Sequence, residues 1–173
     1  MTNTARRFRI GFAHQGTLHY EYCAELVRRA HQVDAQPGLF VTAWDNTRHS
    51  PSFGRTVGVV GLTGAEDGPL ASEADLEVPV EQACTRLAGW AVRRRVAEVS
   101  PLAVVQPGAD AFLMRNLPTI AVRQGYDFLL ATLTPEQHYL ATATGWDFHT
   151  LVDGVNRTGI ALCGAAEAFP IAS

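Results

Sequence analysis

The chain has 173 residues, 47% of them hydrophobic, which is enough for one sizeable core without disulfides or metals. Its net charge of −3 gives no reason to expect a polyanionic partner, and we predict no nucleic-acid binding. No apolar run is long enough to span a bilayer and the start lacks the apolar core of a secretory signal, which predicts a cytoplasmic protein without a membrane partner. All 14 basic residues are arginine, and this excludes lysine Schiff-base chemistry and the P-loop lysine.

The cysteines and histidines give no metal or disulfide pattern. Cys23, Cys84 and Cys163 are odd in number and widely spaced, so they are interpreted as small buried residues. The six histidines form neither an HxxxH nor an HExxH motif. We therefore predict no metal site.

The N-terminal half alternates apolar runs with one amphipathic segment, which predicts a βαβ unit followed by further strands. In chain order the predicted elements are strand 6–13, helix 18–31, strand 39–44, strand 56–62 and, after an acidic loop, strand 76–80.

The C-terminal half contains three further helical patterns and several short strands. In chain order these are helix 81–99, strand 102–105, helix 109–116, strand 119–123, helix 135–142 and the strands 148–152 and 160–163. Pro118 is expected to stop the helix predicted over 109–116. Arg93, Arg94 and Arg95 are interpreted as a solvated helix end.

Three loops are the best candidates for ligand contacts. In open α/β sheets ligands bind where strands end at their carboxyl termini and helices begin. The loops that follow the predicted strands are 13–17 (AHQGT), 45–48 (DNTR) and 105–110 (VQPGAD). Each also has a purely structural interpretation, because Gly16-Thr17 suits a helix cap and Asp45-Asn46-Thr47 is a common turn composition.

The order and content of these segments resemble prephenate dehydratase. Residues 9–12 with 16–17 look like that family's opening strand and G-P-E-G-T turn, and residues 45–47 are similar to its Glu-Asn-Ser loop. Residues 76–84 resemble its E-x-x-L-P-x-x-x-C strand, and residues 105–108 resemble its Ser-His-Pro-Gln turn. Residues 156–160 fall where the family's Asn-x-Thr-Arg-Phe motif is expected.

This resemblance implies a two-lobed α/β fold of the periplasmic-binding-protein type II, with the ligand in the cleft between the lobes. It implies one domain over residues 1–173, with sub-lobes of 1–82 plus 147–173 and of 83–146, and a homodimer. The implied activity is that of a lyase on prephenate or a related cyclohexadienyl carboxylic acid, without a metal or an organic cofactor.

The resemblance also assigns site residues. Thr158 matches the catalytic threonine and would donate a proton, whereas Gly159 and Ile160 replace the family's arginine and phenylalanine. Because this weakens the donor motif, decarboxylation is slightly favoured over dehydration, as in the related prephenate decarboxylases. Asn46 and Thr47 are the other predicted catalytic residues. The predicted substrate contacts are Gln15, Gly16, Thr17, Asp45, Arg48, Gln106 and Arg157, the arginines as anchors for the carboxylates of a small-molecule substrate.

Two alternatives of other classes stay open at this point. Residues 56–80 look like the last strand and acidic loop of a sugar-phosphate isomerase (SIS) domain, although Ser50-Pro51-Ser52 is a poor phosphate loop. A non-catalytic module of the two-lobed fold that binds a small molecule is the other.

Overall fold

The computed structural model describes residues 7–163, which form two compact units. The first unit comprises residues 7–63 and 100–114, and the second unit comprises residues 64–99 and 115–163. The predicted single domain with sub-lobes divided near residues 82 and 146 stays a prediction.

Eight strands and four α-helices make up the two units. In chain order they are β1 (Phe8–His14), α1 (Leu18–His31), β2 (Leu39–Asp45), β3 (Thr56–Gly64), α2 (Val80–Ala88), β4 (Val96–Val99), β5 (Ala103–Val104), α3 (Ala109–Arg123), β6 (Phe128–Leu133), α4 (Pro135–Ala143), β7 (Asp147–Asp153) and β8 (Arg157–Leu162). Short 3-10 turns lie at Ala65–Asp67, Ala71–Asp75 and Arg93–Arg95.

The strands of the first unit pair in antiparallel fashion. β1 pairs with β2 from Phe8↔Asp45 to His14↔Leu39, and β3 pairs with both β2 and β5. Antiparallel neighbours end at opposite edges of a sheet, so the loop after β1 and the loop after β2 lie at opposite ends of this strand pair. The predicted parallel βαβ arrangement of these segments, with both loops at one edge, is therefore wrong.

Helix α1 was predicted correctly from its apolar spacing and covers the strands of the first unit. Its buried side chains, Tyr20, Cys23 and Val27, recur at intervals of three and four residues. They pack in one cluster with Phe40 and Val59, and the Tyr20 and Phe40 ring centroids are 4.8 Å apart. This packing fixes the position of the turn that precedes the helix.

The second unit contains one parallel and two antiparallel strand pairs. β4 runs parallel to β6, whereas β8 is antiparallel to both β6 and β7. Alternate residues of β4, β6 and β8 face α2, and they form a core cluster with that helix. The core-forming side chains include Val80, Cys84, Val96, Phe128, Leu130 and Ile160. Because most pairs within each unit are antiparallel, the expected two-lobed periplasmic-binding fold, with its parallel βαβ lobes, is wrong.

Four predicted elements differ from the structure for local reasons. Residues 76–80 are not a strand, and the helix predicted over 81–99 ends at Ala88 because Gly89 takes a left-handed C-cap conformation with φ 80°. The remainder of that segment forms a 3-10 turn and β4. The helix predicted over 109–116 continues through Pro118 to Arg123, so the strand predicted over 119–123 is wrong. Burial of Leu117 and Ala121 outweighs the backbone hydrogen bond that the proline removes.

Within residues 7–163, no helix combines the length and the apolar character needed to cross a bilayer.

Arg93 joins three segments of the second unit and is not the solvated residue that the sequence suggested. Its guanidinium donates to Glu73 at 2.7 Å and to Glu81 at 2.9 Å, and it also donates to the backbone carbonyls of Ala65 and Gly68. Hydrogen bonds from Arg93, opposed by burial, lower the pKa of Glu73 to about 2. These contacts tie both 3-10 turns before α2 to the residues that lead into β4.

We expect Arg93→Gln to lower the free energy of unfolding by about 2 kcal/mol at pH 7, because the Glu73 carboxylate loses its charged partner. The pKa of Glu73 in the folded chain lies below its ordinary value of 4.5, so the stabilisation is complete above that value. It is lost as the pH falls towards 2, and the wild type and the variant should then converge. Urea unfolding at several pH values measures this, with the exposed Arg94→Gln as control. Equal losses in both variants would contradict the assignment.

Candidate functional site

Asp45 organises the loop that follows β2 in the first unit. The carboxylate is 1% exposed and accepts hydrogen bonds from the Thr47 N–H at 2.8 Å and from the hydroxyls of Ser50 and Ser52. Burial alone would raise the pKa of Asp45, but the two hydroxyls and the N–H outweigh it and hold the pKa below its usual range. Asp45 is thus an ionised hydrogen-bond acceptor, and its contacts with Thr47, Ser50 and Ser52 shape the loop.

Gln106 is the predicted site residue that the fold brings to Asp45. With its amide oriented to pair at both ends, the nitrogen donates to Ser52 at 3.1 Å and to Asp45 at 3.3 Å, and the oxygen accepts from Arg7 at 2.7 Å. A pocket of about 280 Å³ lies beside the loop, and Asn46 lines it. Asp45, Asn46, Thr47 and Gln106 therefore lie together.

Gln15, Gly16 and Thr17 lie at the opposite end of the β1–β2 pair and have structural contacts there. Gln15 donates to the Pro37 carbonyl at 3.1 Å, and Gly16 takes the positive φ of a turn, 83°. The Thr17 hydroxyl caps α1 by accepting from the Tyr20 N–H at 3.1 Å. Antiparallel pairing thus separates these three residues from the Asp45 loop.

Thr158 belongs to a chain of three hydroxyl groups in the second unit. The side chain is 3% exposed, and its oxygen lies 2.8 Å from the Thr132 hydroxyl on the neighbouring strand β6. Thr132 in turn donates to the Ser72 hydroxyl at 2.9 Å. Thr132 is exposed, so a ligand can reach the centre of this chain although Thr158 is covered.

Glu98 lies on the same face of the sheet, at the end of β4. Its two carboxylate oxygens accept from the N–H groups of Ala71 and Ser72 at 2.9 and 2.7 Å. A carboxylate has about four acceptor positions, so each oxygen keeps capacity for a further proton or donor. Ser72 links Glu98 to Thr132, which brings a carboxylate and the three hydroxyls together.

The β4–β6 ladder ends at Glu98. The parallel pairing runs from Val96↔Phe128 to Glu98↔Leu130, whereas β6 continues to Leu133 and pairs there with β8 alone within the second unit. Backbone groups of a strand alternate in direction, so among the last three residues of β6 every second residue directs its N–H and C=O groups to the side that β4 no longer covers. We call Glu98, Ser72, Thr132 and Thr158, together with this end of β6, the β6-end site.

Arg157 does not face the β6-end site, although it precedes Thr158 directly. Successive side chains of a strand point to opposite faces, and Arg157 contacts His138 of α4, with Nη1 3.1 Å from Nδ1. It also donates to Asp153 at 3.3 Å. The two residues that the resemblance placed in one pocket, Arg157 and Thr158, thus lie on different faces of β8. Arg48 is exposed on the Asp45 loop.

Sequence reasoning missed Glu98, Ser72 and Thr132. Glu98 was assigned to a long helix, yet its sequence context, Val-Ala-Glu-Val, is a carboxylate within a short apolar run. The signal for a strand was the β-branched pair around it, combined with the glycine that ends α2. Thr132 lies in the apolar run of β6, for which no strand was predicted.

The described residues contain no activated thiol and no metal cluster. Burial raises the pKa of the Cys23, Cys84 and Cys163 thiols to about 12, so they stay protonated at neutral pH. Across residues 7–163, no group of three or more metal-ligating side chains comes together.

Comparison with known proteins gives one family and one fold. The model of the thermostable hemolysin family matches residues 30–158. No curated protein matches the chain.

Three solved structures illustrate the fold. The AHL synthase LasI is 12% identical with a TM-score of 0.57, over 90% of each chain. FeeM, an N-acyl amino acid synthase from uncultured soil microbes, is 14% identical with a TM-score of 0.55, over 89% of each chain. The aminoglycoside acetyltransferase AAC(6')-Ib, in complex with coenzyme A and kanamycin, is 11% identical with a TM-score of 0.54, over 92% of this chain and 98% of that one.

These findings correct the resemblance to prephenate dehydratase. The chain has the mixed α/β fold of acyltransferases and matches a different family model, so the periplasmic-binding fold and the prephenate lyase activity inferred from it are wrong. The isomerase alternative and the binding module of the two-lobed fold are wrong for the same reason. A local contact agrees with this, since a side chain at Gly159, where the dehydratases have arginine, would clash with the His149 carbonyl oxygen.

The role of Thr17 can be tested directly. We expect Thr17→Ala to lower the free energy of unfolding by about 1 kcal/mol through loss of the cap, and Thr17→Ser to retain most of it. Thermal and urea unfolding of both variants measure the difference. Equal stability of Thr17→Ala and the wild type would remove the capping role and leave the predicted substrate contact.

Proposed function

The chain belongs to the thermostable hemolysin family, and we propose that it is an acyltransferase that moves an acyl group from a thioester to a small-molecule amine or alcohol. The observation that carries the proposal is the fold, which extends over about nine tenths of this chain and of solved acyltransferases with different acceptors. The β6-end site supplies groups suited to this chemistry.

The end of β6 is the proposed binding place of the thioester. The arm of a coenzyme A thioester contains amide groups, and these would pair with the backbone of residues 131–133 as an added strand does. AAC(6')-Ib, which shares the fold, is described in complex with coenzyme A. The β4–β6 pairing ends at Glu98, which leaves this edge of β6 to the donor.

Glu98 is the proposed general base. The nitrogen or oxygen of the acceptor attacks the thioester carbonyl carbon, a C–N or C–O bond forms, and the C–S bond breaks. The proton leaves the acceptor for Glu98 and finally reaches the departing thiolate through solvent, so that a free thiol is released. When the thioester binds, the exposed Thr132 hydroxyl gives up its hydrogen bond to Ser72 and donates its single proton to the carbonyl oxygen as negative charge develops there. Thr158 is a positioning residue that holds Thr132.

The acceptor is proposed to be a small molecule. FeeM and AAC(6')-Ib are named for amino acid and aminoglycoside acceptors, which differ greatly in size and charge. The fold therefore supports transfer to a small-molecule acceptor but does not indicate which one. The cytoplasmic location and the homodimer expected from the sequence remain part of this proposal.

We expect purified protein to release thiol from acetyl- or octanoyl-coenzyme A, faster when a pool of amino acids and amines is present. Glu98→Gln should lower kcat by about 100-fold or more, because the acceptor loses its base. Thr132→Val should lower kcat by roughly tenfold through loss of one hydrogen bond, which corresponds to 1.4 kcal/mol. Ellman's reagent and mass spectrometry of the products give both results.

Glu77→Gln is the matched control, because Glu77 is an exposed carboxylate outside the β6-end site. Thermal unfolding shows whether each variant keeps its fold. Absence of both binding and turnover of the two thioesters by the folded wild type would overturn the proposal.

Family membership supports lysis of red cells as a second candidate function. We expect the wild type to release haemoglobin from washed erythrocytes above the level of a buffer control. The folded Glu98→Gln variant then separates two cases. If the variant no longer lyses the cells, the lytic activity depends on the β6-end site. If it still lyses them, lysis is a separate activity. No release by the wild type would remove this candidate.

A further inference from the structure

A second pocket, formed by α4 and the β7–β8 hairpin, lies on the face of β8 opposite the β6-end site. Its volume is about 420 Å³, and we call it the hairpin pocket. His138, Tyr139, Asp153, Val155 and Arg157 are among the residues that line it. The alternation of side chains along β8 separates this pocket from Thr158 and hence from the proposed acyl transfer.

Arg157 supplies the hairpin pocket with a cation that is held in place. Its Nη1 donates to His138 Nδ1 at 3.1 Å and its Nε donates to Asp153 at 3.3 Å. A guanidinium has five N–H donors, so three remain after these two contacts. His138 accepts at Nδ1 and therefore carries its proton on Nε2, and its ring packs edge-on against Phe148 with centroids 5.4 Å apart.

Asp153 limits the charge of a suitable ligand. Its ion pair with Arg157 is long, and the aspartate side chain is 70% exposed, so the pair contributes little stability and yields readily to another acceptor. One cation and one nearby carboxylate give the hairpin pocket a net charge close to zero. This balance suits a monoanion such as a carboxylate better than a phosphate dianion.

The rim of the hairpin pocket is apolar. Tyr139 is 76% exposed and Val155 is 92% exposed, and both line the pocket. Large apolar groups beside a fixed cation match a ligand that has a charged head and an apolar body. We propose that the hairpin pocket is a binding site for an amphiphilic monocarboxylate, with the carboxylate on Arg157 and the apolar part against Tyr139 and Val155.

The test is a titration of the methyl-labelled protein with sodium octanoate, followed by NMR of the Val155 and Thr142 methyl groups. We expect saturable shifts of both signals with octanoate, and at least tenfold weaker binding of octanamide, which has the same chain without the charge. Octyl phosphate should also bind more weakly than octanoate. Uniform small shifts over the whole surface, or equal binding of octanamide, would overturn the site.

Two variants examine the contacts separately. Arg157→Gln should weaken octanoate binding by tenfold or more, whereas Arg86→Gln, at an exposed arginine of α2, should leave it unchanged. Val155→Asp should also weaken binding by repelling the carboxylate, and it keeps the fold because the side chain is almost fully exposed. Octanoate binding that survives both changes contradicts the proposal. The readout requires no turnover, so its outcome is independent of acyl transfer.

Discussion

The early end of the β4–β6 ladder is the constraint on which the β6-end site depends. β4 pairs with β6 over three residues, and Pro101 shortly afterwards has no N–H to extend a ladder. β6 continues for three more residues because β8 pairs with its whole length. The result is a strand end that is paired with β8 on one side and uncovered by β4 on the other. A ligand with amide groups can pair with such an edge, and the proposed thioester site rests on this.

The position of Glu98 depends on the same constraint. As the last paired residue of β4 it lies beside the uncovered end of β6, and the N–H groups of Ala71 and Ser72 fix its carboxylate. Arg93 holds the neighbouring 3-10 turn through Glu73, so the backbone donors to Glu98 are themselves held in place. The ion pair between Arg93 and Glu73 thus helps to fix the orientation of the Glu98 carboxylate.

The spacing of apolar residues predicted the elements that have a regular buried face. The resemblance to another family, which rested on turn sequences, was wrong. Helix α1 and β1 to β3 follow from apolar spacing, because Tyr20, Cys23 and Val27 pack on continuous apolar strands. The segment after Gly89 was assigned to a helix, since its pattern contains no apolar alternation strong enough to reveal a four-residue strand. The resemblance to the dehydratases rested on turns such as residues 16–17 and 45–47. In the structure these turns cap a helix and close a loop, roles that recur in unrelated folds.

Tertiary pairing decided which predicted site residues meet, and the sequence carries no direct signal for it. Asp45 and Gln106 come together although they are 61 residues apart, whereas Arg157 and Thr158 are adjacent in sequence and lie on opposite faces. Side chains alternate between the two faces of a strand, so β8 presents the Thr158 hydroxyl on one face and the Arg157 guanidinium on the other. Each face is thereby available to a different ligand.

An amide NMR titration of the labelled protein tests the end of β6 as the place of the acyl donor. The ligand is a thioether analogue of octanoyl-coenzyme A, which binds without reacting. We expect the largest shifts at Ala131, Thr132 and Leu133, with a smaller response at Glu98. Saturable binding with these four amides unchanged would show that the acyl donor does not bind at the uncovered end of β6.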